Sequence, residues 1–121
     1  MAALLAAAPG PDVMAALTAL DLAALSEPDR LVVLEVWERQ QHWVWAQTLT
    51  ATASFAGQQP VDSDDFVRED VRAALRLSRP AAQDRIDTAR LLATILTDTH
   101  LALAGGAASP GQVRRLVEEV R

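Results

Sequence analysis

The chain has 121 residues, enough for about one domain that buries roughly two thirds of its unfolded surface. Half of the residues are hydrophobic, and the absence of cysteine excludes disulfides, thiolate metal sites and a cysteine nucleophile. The formal net charge of −5 argues against a uniformly basic nucleic-acid binder.

The composition points to an all-α fold. Alanine fills 24 positions, glycine only 5, and every basic residue is arginine. Alanine loses no side-chain entropy in a helix, so such a chain favours helix over strand. Met1–Ala8 is apolar but short, no basic residue precedes it, and Pro9-Gly10-Pro11 ends it. Neither a signal peptide nor a membrane span is expected there, so a cytoplasmic protein is the default. Residues 1–11 are read as a flexible N-terminus.

Asp12 is the expected cap of a first helix over about 13–24, with Val13, Leu17, Leu20 and Ala24 on one face. Ser26-Glu27-Pro28-Asp29 marks the next start: a capping serine, a proline tolerated in the first turn and acids that suit a helix N-terminus. Nothing breaks this second helix before Gly57, so it is expected to span roughly 45 Å. A compact domain of this length is only about 35 Å across. Trp37, Trp43 and Trp45 do not share a narrow stripe, since successive positions are separated by about 600° and 200° around the helix. Either several elements wrap this helix, or these tryptophans form an interface with a partner chain.

Gly57–Asp62 reads as a join, and Ser63 with Asp64 and Asp65 as a capped acidic first turn. A metal site at Asp62, Asp64 and Asp65 lacks the spacing and glycine of a calcium loop. No metal or cofactor is therefore expected. No phosphate loop or dinucleotide-binding glycine pattern occurs. His42 and His100 are far apart, and Glu35 and Glu38 have no Glu-x-x-His partner, so the chain is read as carrying no catalytic site of its own. His100 is expected to meet last-turn carbonyls.

Residues 68–92 carry the strongest pattern. A short helix over about 66–75 is followed by Arg76-Leu77, a capping Ser78 and Pro80 in a new first turn. Ala82, Ile86, Ala89 and Ala93 share a face of the second helix, outside which lie Gln83, Arg85 and Arg90. Ala73 and Ala74 are expected to let the two helices cross closely, with Leu75 and Leu77 filling the corner. Two helices joined this way resemble a helix-turn-helix, whose second helix presents its N-terminal residues to the major groove. The same pattern suits an ordinary corner of a helical bundle. The recognition turn usually contains glycine, and here none is present.

Charge sharpens the contrast between the halves. Residues 1–67 hold two arginines and nine acids, net −7, whereas 68–121 hold nine arginines and seven acids, net +2. The candidate DNA-binding residues are Arg76, Ser78, Arg79, Gln83, Arg85, Arg90, Arg114 and Arg115; Arg can pair with guanine, Gln with adenine and Ser with phosphate. Asp84 and Asp87 on the same helix oppose it. A last helix runs from Ser109-Pro110 to Arg121 with Val113, Leu116, Val117 and Val120 as its apolar stripe.

The run Ala-Leu-Arg-Leu-Ser-Arg-Pro-Ala-Ala-Gln-Asp-Arg-Ile-Asp-Thr-Ala-Arg-Leu-Leu, followed by Leu-Ala-Leu-Ala-Gly-Gly-Ala-Ala-Ser-Pro-Gly-Gln-Val-Arg-Arg-Leu-Val, resembles an actinobacterial domain of unknown function. That domain precedes HNH endonuclease domains in mycobacterial repeat-family proteins. Trp37-Glu38-Arg39 fits the same family, and the likeness extends from about Asp12 onward. The 75–117 stretch is also similar to the helix-turn-helix of chromosome-partitioning proteins. These resemblances imply an accessory helical domain of an HNH-type nuclease, with double-stranded DNA, a second copy or the C-terminal nuclease domain as partner. The expected architecture is a long N-terminal helical hairpin (12–57) followed by a helix-turn-helix-like subdomain (63–121), in one compact domain.

Overall fold

A computed structural model describes residues 1–57 and 64–120, with the side chains of Asp64 and Asp65 excepted. Among the described residues the regular secondary structure is all α-helix apart from one 3-10 turn at Leu22–Ala24. The helices are α1 (Ala2–Ala6), α2 (Pro11–Thr18), α3 (Glu27–Ala56), α4 (Asp64–Leu75), α5 (Arg79–Thr94), α6 (Thr97–Ala104) and α7 (Pro110–Val120). None of them is long and apolar enough to cross a membrane.

The long helix begins where the sequence predicts. The Ser26 hydroxyl accepts from the Asp29 N–H at 3.3 Å, and Pro28 lies in the first turn. It ends at Gly57, whose φ of 58° and ψ of −164° lie in a region open essentially to glycine alone. Apolar residues surround α3 because different neighbours cover different stretches of it. Val33, Val36 and Trp37 pack with Val13 and Leu17 of α2 and Leu4 of α1. Ala46 and Leu49 pack with Ala89 and Leu92 of α5, Leu103 of α6, and Val113 and Val117 of α7. Ala56 joins Val67 and Val71 of α4 and Ala82 and Ile86 of α5. The first of these clusters is built from residues 1–37 alone, whereas the other two join α3 to the helices that follow it.

The N-terminal third departs from expectation. The single helix expected over 13–24 is two pieces. Its start is capped by Gly10 rather than Asp12, because Pro11 occupies the first helical position and Asp12 falls inside the first turn. After Thr18 the Asp21 carboxylate accepts from the Ala23 N–H at 3.2 Å, and this local bond sets up the 3-10 turn in place of another α turn. Residues 1–11, read as a flexible lead, include α1 and a buried Gly10. Gly10 is clamped by a side-chain amide: its N–H donates to Gln40 Oε1 at 2.8 Å, and Gln40 Nε2 donates back to its carbonyl at 2.9 Å. Gln40 is almost fully buried, so these two bonds satisfy an amide that water cannot reach.

Arg39 reaches the same region from the adjacent position. Its guanidinium donates to the Leu5 carbonyl at 2.7 Å, near the end of α1. Its aliphatic stem lies against Gly106 in the turn between α6 and α7, where a Cβ would come within 3.1 Å of it and φ is +80°.

Two packing details also correct the sequence reading. The buried stripe of α5 is Ala82, Ile86, Ala89 and Leu92; Ala93 is exposed, because the helical period carries the stripe to 92. At the α4–α5 corner only Leu77 turns inward. Leu75 is 47% exposed and Ala73 and Ala74 are exposed, since Val67 and Val71 make the crossing.

Replacing Gln40 with alanine strands both backbone groups of Gly10 in a buried site. The expected loss is about 2–4 kcal/mol, read as a lower urea midpoint together with faster proteolysis between α1 and α2. A change below about 0.5 kcal/mol would show that water substitutes for the clamp.

Candidate functional site

The corner between α4 and α5 is built as the sequence suggests, with one addition. Ser78 caps α5, its hydroxyl accepting from the Ala81 N–H at 3.2 Å, and Pro80 follows in the first turn. Arg76 has φ of 54°, the left-handed conformation that glycine usually supplies in this place. The Leu77 N–H donates to the Arg72 carbonyl at 3.0 Å, the six-to-one bond of a Schellman ending. The turn thus has the backbone shape of a glycine turn without the glycine. An L-residue held there loses about 1 kcal/mol or more.

Arg76, Ser78 and Arg79 are exposed at this corner, and Arg72 adds a fourth polar side chain that the sequence reading did not include. Glu69 sits among them, 3.2 Å from Arg72 and 3.8 Å from Arg79. The i, i+3 spacing of Glu69 and Arg72 is the sequence signal that would have placed them together.

The other predicted DNA-binding residues lie elsewhere or are engaged within the fold. Gln83 accepts from Arg68 at 3.0 Å and donates to Asp87 at 2.9 Å. Arg90 donates to the carbonyls of Gly57 at 3.1 Å and Ala56 at 3.4 Å, closing the end of α3. The Arg85 guanidinium lies over the Trp45 ring, 4.8 Å from its centroid. Arg114 lines the same cleft between α5 and α7, together with Asp84 and Glu118. Arg115 lines a different one with Asp98 and Glu119. The structure therefore brings together three of the eight predicted residues.

The tryptophans divide in a similar way. All three are half-buried; Trp37 packs on the α1–α2 cluster and Trp45 on the central one. Several elements do wrap the helix. One stretch is left open: a recess of about 400 Å³ bounded by Trp37, Glu38, Gln41, Val44, Trp45 and Thr48 of α3, with Met14 of α2 and Pro110 of α7 in its wall. Trp43 does not line it. Apart from Glu38, these α3 positions recur at i, i+4, i+7, i+8 and i+11, a spacing visible in the sequence. His42 also lines the recess; it is buried, its Nε2 lies 3.5 Å from Glu38, and its Nδ1 has no hydrogen-bond partner.

A groove of about 820 Å³ lies between α3, α5 and α6, with Thr50, Ala53, His100 and Leu101 in its wall. His100 was expected to meet last-turn carbonyls. Its Nε2 instead lies 3.0 Å from the carbonyl of Ala46, in mid-helix, and 3.1 Å from the Thr50 hydroxyl. The carbonyl is within reach because α6 packs across α3 there. Of the aspartates considered for metal binding, Asp62 lies outside the described residues, as does the expected cap Ser63. Among the described residues no group of three His, Asp or Glu side chains is placed to hold a metal ion.

Comparison with protein-family models, with curated proteins and with solved structures finds no match to this chain.

Replacing Arg76 with glycine relieves the left-handed backbone while removing one charge from the corner. It is expected to raise stability by about 0.5–1 kcal/mol, a shift in Tm of roughly 2–5 °C by calorimetry. A lower Tm would mean that the guanidinium makes contacts worth more than the strain.

Proposed function

We propose that this chain is a helical accessory domain of an HNH-endonuclease-type protein, with no catalytic site of its own, and that it meets duplex DNA at the α4–α5 corner. The observation that carries this reading is the exposure of Arg72, Arg76, Ser78 and Arg79 around one capped helix start. Guanidinium and hydroxyl groups at such a start suit phosphate oxygens, which position a protein on DNA without reading bases. Base reading is not part of the proposal, because Gln83 is tied to Arg68 and Asp87 and Asp84 stands exposed beside it. Glu69 further limits the corner to a few phosphate contacts. The resemblance to the nuclease-associated family supplies the context, in which weak non-specific attachment serves a tethered nuclease.

Fluorescence anisotropy with a labelled duplex checks this. For about three phosphate contacts, affinity falls roughly 20-fold between about 50 and 150 mM salt. Arg72→Ala with Arg79→Ala weakens binding, while Arg114→Ala with Arg115→Ala removes equal charge from another face and leaves it nearly unchanged. No binding at low salt, or equal loss in both double variants, rejects the corner.

A second reading is a protein-interaction surface on the long tryptophan-bearing helix, for a partner chain or a second copy. It is favoured by the open recess beside Trp37 and Trp45, where Val44 remains 42% exposed between two aromatic side chains.

A further inference from the structure

We infer that the recess along α3 takes an arginine side chain from an amphipathic segment of a partner protein. This rests on the second reading above, that the long helix carries an interaction surface, and specifies its occupant.

The shape comes first. The recess of about 400 Å³ is of a size that takes one long side chain and the apolar residues beside it. Its length follows α3 for three turns, from Trp37 to Thr48, and Met14 and Pro110 flank it. Val44 and the two indoles give it an apolar floor, which suits the non-polar face of a docked helix.

Charge selects the occupant. Glu38, with its side chain 63% exposed, stands at the rim, and among the described residues no arginine lines the recess. Glu38 is the one carboxylate among the described residues that line it, so the local charge favours a cation. Arginine fits better than lysine, because its planar guanidinium both stacks on indole and pairs with a carboxylate in a fork.

The molecule already shows this pairing once. Trp45 lines both the recess and the adjoining cleft, and in the cleft Arg85 stacks on it at 4.8 Å.

The test uses an acetylated amphipathic helical peptide of leucine and arginine, and its counterpart with citrulline, which keeps the shape and removes the charge. Tryptophan fluorescence and titration calorimetry read the affinity for the full chain. The arginine peptide binds, and the citrulline peptide binds at least about tenfold more weakly. Glu38→Gln and Val44→Asp, both at exposed positions, each weaken the arginine peptide by about five- to tenfold with an unchanged helical circular dichroism spectrum. Equal affinity for the two peptides overturns the inference and leaves the interaction surface standing. Binding of the arginine peptide that ignores both substitutions overturns it as well. No binding of either peptide removes the inference and the interaction reading together.

Discussion

A helix of thirty residues cannot be covered from end to end by any one neighbour of sixteen residues or fewer, and the rest of this structure answers that constraint. α3 is roughly 45 Å long in a domain about 35 Å across. Each stretch of it must find its own partner. α1 and α2 cover the first part, α5 and α6 the second, and α4 shares the last turn with α5. All three apolar clusters draw on α3, and the second and third also share α5. Gln40 stands where the first cluster gives way to the second, and its amide pairs with backbone where an apolar side chain would leave Gly10 without a partner.

Three helix starts were legible because they are written locally. Ser26, Ser78 and Ser109 each have a proline one or two positions after them, and all three initiate helices as read. At Ser109 the device is a full capping box, in which its hydroxyl accepts from the Gln112 N–H and Gln112 Oε1 accepts from the Ser109 N–H. Contacts across long separations left no such trace. Gln40 to Gly10 spans 30 positions and Arg90 to Gly57 spans 33, and neither follows from spacing. The candidate site was half legible for the same reason. Periodicity shows that Gln83, Arg85 and Arg90 lie off the buried stripe of α5. It does not show that another helix stands there to engage them.

The arginines share a use that explains the scattering. Arg30 donates to the carbonyls of Leu22 and Ala23, Arg39 to that of Leu5, and Arg90 to those of Ala56 and Gly57. Each closes the end of a helical element other than its own. The last carbonyls of a helix need partners, and a long stem with several donors can supply them from a neighbouring element. In a chain without lysine and with few glycines, arginine takes on this work. Counting cations along the sequence therefore overstates the charge left for a ligand.

Arg39 extends this into a mechanical link. Its foot rests on the bare backbone of Gly106 and its head holds Leu5, so the two extremities of the chain are braced through one side chain. A methyl group at 106 would act as a wedge under the foot and lever the head from its carbonyl. The turn between the last two helices thus governs how firmly the very first one is seated, although the two segments lie nearly the whole chain apart.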